Sequence, residues 1–109
     1  MADFTNTIKI NPKFAMAYNS RGSAKFYLQN YKGAVADNTK AIEINPKDAD
    51  SYYRRGISKI GLDDLRGAIA DYTVAIEIDP KFARAYNNRG IAKIELGQKY
   101  NACLDFSKA

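Results

Sequence analysis

The sequence predicts an all-α solenoid in which antiparallel helix pairs stack along one axis. Residues 52–80 repeat residues 18–46 after a shift of 34 positions, and three prolines keep the same register. Apolar residues recur at helical spacing, and no segment shows the alternation that is typical of a strand. A fixed period of this length in a helical sequence indicates stacked helix pairs, none of which can bury its apolar face alone. The prolines are Pro12, Pro46 and Pro80.

The chain is predicted to be a single array of repeats with no linker. Residues 2–10 match the second half of the later repeats and are predicted to form an orphan second helix. Asn11 and Pro12 end this helix, because proline cannot continue the helical hydrogen-bond ladder. The repeats that follow are predicted at 11–44, 45–78 and 79–109, the last of them truncated. The predicted helices in these repeats are 15–28, 32–44, 49–62, 66–78, 83–96 and 99–108.

Small residues indicate where the two helices of each repeat come close together. A glycine lies in the middle of each predicted first helix, where it costs about 1 kcal/mol relative to alanine. This cost is reasonable if a second helix approaches there, and an alanine lies at the matching place of each second helix. The glycines are Gly22, Gly56 and Gly90, and the alanines are Ala34, Ala68 and Ala102.

The composition argues against catalysis and against a metal site. The 109 residues include no histidine, which is a common general base and metal ligand, and Cys103 is the only cysteine. The glycines lie singly inside predicted helices, so no phosphate-binding loop is present. We therefore expect no enzyme activity, no catalytic residue, no cofactor and no metal. Neither a membrane span nor a signal peptide is evident, so we expect a cytoplasmic protein or a piece of a longer one.

The repeated positions resemble those of the tetratricopeptide repeat (TPR) family, whose signature is W-x2-L-G-x2-Y, then A-x3-F, then P. In the second repeat these places hold Tyr52, Gly56, Ala68, Tyr72 and Pro80, and three copies agree. The resemblance implies a right-handed superhelical solenoid of antiparallel helix pairs, whose first helices line a concave groove. It also implies a protein–protein interaction scaffold that holds a peptide or a protein segment in that groove.

Two departures from the signature recur in every copy, and a row of aspartates keeps the same phase on the second helices. An arginine replaces the leucine and is predicted to pair with an aspartate through charge-assisted bonds. A lysine replaces the second aromatic residue and is predicted to lay its stem on apolar neighbours, with its ammonium group in water. Asn38 also replaces an aromatic residue, which predicts weaker packing in its repeat. The arginines are Arg21, Arg55 and Arg89, the lysines Lys25, Lys59 and Lys93, and the aspartates Asp3, Asp37, Asp71 and Asp105.

Helical spacing, read with the resemblance, gives a set of candidate peptide-binding residues on the concave face. They combine apolar side chains with amides and two arginines, which suits a peptide that carries an apolar residue and a carboxylate. The isoleucines could belong instead to the core between repeats, and for Ile60 we expect the core. The candidates are Asn19, Ser23, Tyr53, Arg54, Ile57, Arg84, Asn87, Asn88 and Ile91.

One binding mode of the family can be compared residue by residue. Relatives that grip the C-terminal carboxylates of chaperones use lysine and asparagine on one repeat, asparagine on the next, and lysine and arginine on a third. The matching places here hold Asn19 and Ser23, then Arg54, then Arg84 and Asn88, so that only Arg84 has a suitable charge. The sequence therefore does not predict this clamp.

Two alternatives to peptide binding remain open. The net charge of +5 suggests nucleic acid, but Asp50 and Glu95 balance Arg54 and Arg84 in the groove, so an RNA-binding helical-repeat module is less favoured. The second alternative is self-association through incomplete terminal repeats, since Phe4 lacks the first helix on which its counterparts pack. Such contacts would run head to tail, or an exchanged terminal helix would give a closed dimer.

Overall fold

Five helices make up the part of the chain that the structure describes. The computed structural model describes the backbone of residues 12–108 and the side chains of residues 14–99. No strand occurs within these bounds, so the all-α prediction is confirmed. The orphan helix predicted over residues 2–10 lies outside the described residues. The helices are α1 (Pro12–Tyr27), α2 (Tyr31–Ile44), α3 (Ala49–Gly61), α4 (Leu65–Ile78) and α5 (Ala83–Lys108).

Most predicted helix boundaries agree with the structure. Helices α2, α3 and α4 begin and end within one residue of their predicted limits, whereas α1 begins three residues earlier than predicted. Proline is well suited to the first position of a helix because its missing N–H has no partner there in any case. None of the five described helices combines the length and the apolar character that a membrane span requires.

The helices pack in pairs, α1 on α2 and α3 on α4, and each second helix also packs on the first helix of the next pair. The close approach predicted at the glycines is present in both pairs. A Cβ atom on Gly56 would lie 2.6 Å from the ring of Tyr72, and one on Gly22 would lie 3.0 Å from Nδ2 of Asn38. A Cβ atom on Gly56 would therefore force the ring of Tyr72 to move, whereas one on Gly22 would make a tight contact with Asn38.

The contact between the first two pairs is polar, whereas the next contact along the array is apolar. In the first contact, Asn38 Nδ2 donates to Asn19 Oδ1 at 3.0 Å, and Asn19 Nδ2 donates to Ser51 Oγ at 2.8 Å. Asn38 is 1% exposed and hydrogen-bonded, so a buried amide takes the place of the aromatic ring here. The residues 34 positions later form a hydrophobic cluster in place of these polar groups. The polar set is Asn19, Asn38, Ser51 and Ser58, and the apolar set is Tyr53, Tyr72, Ala85 and Ala92.

The turns inside the first two pairs have the same backbone conformation and the same kind of helix cap. Gln29 and Asp63 have positive φ angles of 62° and 61°, which reverses the chain direction. The following residue then caps the second helix, because Asn30 accepts from the backbone N–H of Gly33, and Asp64 does the same one repeat later. A side-chain acceptor at this place satisfies a backbone donor that the first helical turn leaves without a partner.

The third pair is not formed inside the chain, because α5 runs without interruption from Ala83 to Lys108. The two helices predicted over 83–96 and 99–108 are therefore one helix, and the predicted turn is absent. Gln98 occupies the capping position, and glutamine is not among the residues that cap helices well. Gly97 matches the position with positive φ in the other turns, but without a cap nothing favours a turn over continued helix.

Candidate functional site

The first helices α1, α3 and α5 form one face of the array, which we call the groove. Three clefts open in the groove, and one of them, of about 440 Å³, lies beside Met16, Ser20 and Asp50. The other two are a cleft between α1 and α3 of about 90 Å³ and a cleft between α3 and α5 of about 230 Å³, which we call the larger of this pair. Ile57 lines both clefts, so they are neighbours along the groove. Their linings are related by the 34-residue repeat, since Asn38 and Ser58 in the first cleft correspond to Tyr72 and Ala92 in the second.

The isoleucines of the groove divide between core and surface. Ile60 is half-buried against the hydrophobic cluster of α3, α4 and α5, as the sequence predicts. Ile57 packs on the same cluster and still reaches both clefts. Ile91 is 49% exposed and lines the larger cleft.

The guanidinium group of Arg54 is engaged inside the chain. Its Nε donates to Asp50 at 2.6 Å, and its NH1 donates to Ser23 at 2.5 Å. The bond to Ser23 links α3 to α1 across the groove. Because Asp50 balances its charge, Arg54 is a weaker attractor for an acidic ligand than its charge alone suggests.

Arg84 differs from Arg54 in its surroundings. It is exposed, and no acid among the described side chains lies within 4.0 Å of it. Its Cζ lies 5.5 Å from the ring centre of Tyr53 and 6.0 Å from that of Phe82. Stacking on aromatic faces holds the guanidinium in place while its N–H groups stay available to an acceptor.

The remaining amide and tyrosine candidates lie at different depths. Asn19 is 7% exposed and its amide is used by Asn38 and Ser51, so it lies beneath the groove surface. Tyr53 is also buried, and its hydroxyl accepts from Asn88 Nδ2 at 3.2 Å. Ser23 is half-buried and accepts the bond from α3 that was described above. Asn87 is exposed, and the structure gives it no described hydrogen bond.

The predicted arginine–aspartate pairs are present in both described pairs of helices. Arg21 donates to Asp37 at 2.9 and 2.7 Å, and Arg55 donates to Asp71 at 2.9 and 2.8 Å. Hydrogen bonds from Arg21 hold the pKa of Asp37 below its usual 3.8. These arginines are bound within the chain, so they do not form a row that could bind anions. The third predicted pair involves Asp105, whose side chain lies outside the described residues.

Lys25 and Lys59 make ion pairs that the sequence did not predict. Nζ of Lys25 is 3.2 Å from Asp37, and Nζ of Lys59 is 3.0 Å from Asp71. Each lysine follows the arginine by four residues, so both side chains lie on one helix face and reach the same carboxylate. The ammonium groups therefore bind buried carboxylates, and the prediction that they stay in water is wrong for these two lysines.

Arg55 and Arg89 also connect one helix pair to the next. NH1 of Arg55 donates to Thr39 at 3.3 Å, and NH1 of Arg89 donates to Thr73 at the same distance. Each arginine also lies over a tyrosine one turn earlier, with distances from Cζ to the ring centre of 5.4–5.7 Å. These contacts fix the spacing of the first helices and so the width of the groove.

Sequence reasoning missed two residues that shape the clefts. Asn38 and Tyr72 come from second helices, yet each closes the base of one cleft. A signal was present, because the two positions are 34 residues apart and differ greatly in size. The smaller amide and the larger phenol ring give the two clefts different linings.

Comparisons with known proteins agree with this architecture. A family model described as tetratricopeptide repeat matches residues 15–48, and one described as TPR repeat matches residues 62–97. The comparison with curated proteins gave no match.

Three solved structures illustrate the likeness. The TPR2AB domain of yeast Sti1 in complex with pHSP90 is 31% identical with a TM-score of 0.80, over 95% of this chain and 40% of that chain. The TPR2B domain of yeast Sti1 in complex with pHsp70 is 33% identical with a TM-score of 0.74, over 84% and 72%. The first TPR domain of human RPAP3 is 30% identical with a TM-score of 0.75, over 84% and 69%. The repeat pattern, the stacked helix pairs and these likenesses show that the chain belongs to the tetratricopeptide repeat family.

Proposed function

We propose that the chain is a non-catalytic protein–protein interaction scaffold that holds a peptide or an extended protein segment in the groove. The observation that carries this proposal is the pair of adjacent clefts along α1, α3 and α5, which share Ile57. The two Sti1 domains to which the chain is similar were solved with pHSP90 and pHsp70. A binding surface of this kind accords with the family.

The chemistry of the groove favours a ligand that presents an apolar side chain close to an acidic group. Ile91 and Ile57 offer the larger cleft an apolar wall. Arg84 and Asn88 are four residues apart and therefore lie on one face of α5, next to that cleft. Arg84 has no described acid neighbour, so a carboxylate of the ligand would be its partner.

The same residues argue against a clamp that surrounds one carboxylate with several cations. Asn19 is buried, and Asp50 already balances Arg54. We therefore infer that Arg84 makes the main charged contact and that the clefts supply the remaining affinity.

A binding experiment can separate these roles. Heptapeptides that place an acidic residue beside an apolar one would be displayed as a library, with lysine in place of the acid in a matched library. We expect the acidic library to be enriched. For a selected peptide, Arg84→Ala and Ile91→Ser should each weaken binding measured by calorimetry by about 1–3 kcal/mol.

Two controls complete this experiment. Arg54→Ala should cost less than Arg84→Ala, and Glu77→Gln, which changes an exposed residue of α4, should have no effect. Equal enrichment of both libraries, or binding that is insensitive to both groove substitutions, would show that the groove is not the binding surface.

A further inference from the structure

The cleft between α1 and α3 contains two buried polar side chains that the cleft between α3 and α5 lacks. Asn38 and Ser58 line it and are 1% and 2% exposed. The corresponding residues of the other cleft are Tyr72 and Ala92. The volume of about 90 Å³ is enough for several water-sized groups, so a small side chain of a ligand fits there.

Both polar side chains keep hydrogen-bonding capacity that the chain itself does not use. An amide has two N–H hydrogens and a carbonyl oxygen with two lone pairs, and a hydroxyl group can also accept. Nδ2 of Asn38 makes one described bond, to Asn19 at 3.0 Å. The hydroxyl of Ser58 donates either to Oδ1 of Asn38 at 3.4 Å or to the carbonyl oxygen of Arg54 at 3.1 Å. Among the described residues, the second N–H of Asn38 and the lone pairs of Ser58 therefore have no partner.

The remaining capacity favours a neutral ligand group that can both donate and accept. The charge of Arg54, which also lines this cleft, is balanced by Asp50 at 2.6 Å. A carboxylate would lose its hydration here and could only accept. An aliphatic side chain would leave the buried N–H of Asn38 without a partner, which costs free energy. A carboxamide meets both requirements.

We propose that the cleft between α1 and α3 binds the carboxamide of an asparagine or glutamine side chain of the ligand. The carbonyl oxygen of the ligand would accept from Nδ2 of Asn38, and its NH₂ group would donate to Oγ of Ser58. This assignment rests on the proposed function and extends it, because it adds a third recognised group to the apolar and acidic ones.

The spacing of the clefts indicates where the carboxamide lies in the ligand sequence. Hydrogen bonds join α1 to α3 and α3 to α5, and helices that pack together lie about 8–10 Å apart. The two clefts lie on either side of α3, so about one such distance separates them. A polyproline II segment advances about 3.1 Å per residue and returns every third side chain to the same side. The carboxamide should therefore lie three positions from the apolar residue of the ligand.

Peptide selection tests this assignment. Heptapeptides would keep a central apolar residue with an acidic neighbour, and the residues three positions before and after the centre would be varied. We expect asparagine or glutamine to be enriched at one of these two positions. In the selected peptide, replacing the amide residue by leucine or by the corresponding acid should each weaken binding, measured by calorimetry, by about tenfold or more.

The neighbouring repeat supplies matched substitutions in the protein. Asn38→Tyr combined with Ser58→Ala gives this cleft the residues of the other one, and the variant should no longer prefer the amide peptide to the leucine peptide. Ser58→Ala alone keeps the bond between Asn38 and Asn19, and it should reduce the preference by about two- to tenfold. Ile91→Ser is the control, because it changes the other cleft and should weaken both peptides equally.

The possible outcomes separate this assignment from the proposed function. Selection of acidic and apolar residues without an amide at either varied position would overturn the assignment and leave the proposed function in place. A preference for the amide peptide that is unchanged in both variants of this cleft would also overturn it. If no selected peptide depends on the groove, the assignment and the proposed function both fail.

Discussion

At the scale of single residues, each buried carboxylate of the array is held by two cations from one helix. Asp71 receives two hydrogen bonds from Arg55 and lies 3.0 Å from Lys59. Family members with leucine at the arginine position have no charge there to satisfy. The arginine and the aspartate are therefore expected to depend on each other, since Arg55 without Asp71 has no acid partner and Asp71 without Arg55 keeps only Lys59.

A double-mutant cycle measures this dependence. Arg55→Leu, Asp71→Ala and the double variant should give a coupling free energy of about 0.5–3 kcal/mol in urea unfolding. The exposed pair of Lys40 and Glu43, 3.6 Å apart, is the matched control, and its coupling should be about 0.5 kcal/mol or less. Additive effects of Arg55 and Asp71 would contradict the structure at this site.

Because of Tyr72, the free energy of unfolding is expected to fall at alkaline pH. Burial raises the pKa of Tyr72 from its usual 10.0 to about 12. As the pH rises, the unfolded chain loses the Tyr72 proton at a lower pH than the folded chain does. The stabilisation that comes from burying the neutral phenol is therefore complete below pH 10.0 and is lost as the pH rises through about 12.

Substitution isolates this effect from that of the other tyrosines. Tyr72→Phe should reduce the loss of the free energy of unfolding over the same pH interval, as measured by urea unfolding. Tyr27→Phe is the control, because Tyr27 is 81% exposed and should leave the pH dependence unchanged. An equal change in both variants would show that Tyr72 is not the group responsible.

At the scale of helices, one capping residue decides whether a pair closes. Asn30 and Asp64 each accept from the N–H of a glycine three residues later, whereas α5 has Gln98 and Asn101 at these two places. The choice between one long helix and a hairpin therefore depends on a short segment and on about 1 kcal/mol of capping energy.

Restoring the cap should restore the turn. In the variant Gln98→Asp with Asn101→Gly, we expect α5 to break at Gly97, which can adopt a positive φ angle at little cost. Carbon-13 chemical shifts of residues 96–99 would report the loss of helix. Gln98→Ala removes any side-chain acceptor and should keep the helix continuous. Helical shifts in both variants would mean that packing, and not the cap, determines the course of α5.

The sequence predicted the helices well where a pattern extends over many residues. The period and the prolines placed α2, α3 and α4 within one residue, because each helix carries several apolar positions in phase. The prediction of a turn failed at residues 97–98. The pattern of the other repeats predicts a helix cap there, but Gln98 does not supply one. The hydrogen bonds of Asn38 were not predicted, because its partners Asn19 and Ser58 lie on two other helices.

At the scale of the whole molecule, the sequence predicted which helices form the groove, but it did not predict how deeply each candidate side chain is buried. The candidates on α5 lie on the surface or beside a cleft, as Arg84 and Ile91 show. Asn19 and Tyr53 have the same helical phase as the groove, yet they turn out to be buried. Helical spacing gives the direction of a side chain, whereas burial depends on how closely the next helix approaches.

The two contacts between pairs also give the second pair two chemically different sides. Toward the first pair it presents Ser51, bound to Asn19 of α1, and Ser58, bound to Asn38 of α2. Toward α5 it presents Tyr53 and Tyr72, which belong to the apolar contact. A chain lengthened by duplicating residues 45–78 would bury these two serine hydroxyls against tyrosine rings, without the amides that now bind them. Asp48 and the backbone carbonyl of Arg54 would still accept from these hydroxyls, so the duplicated unit would lose only the bonds to the amides. Each repeat is therefore best matched to the neighbours it has in the order of the chain.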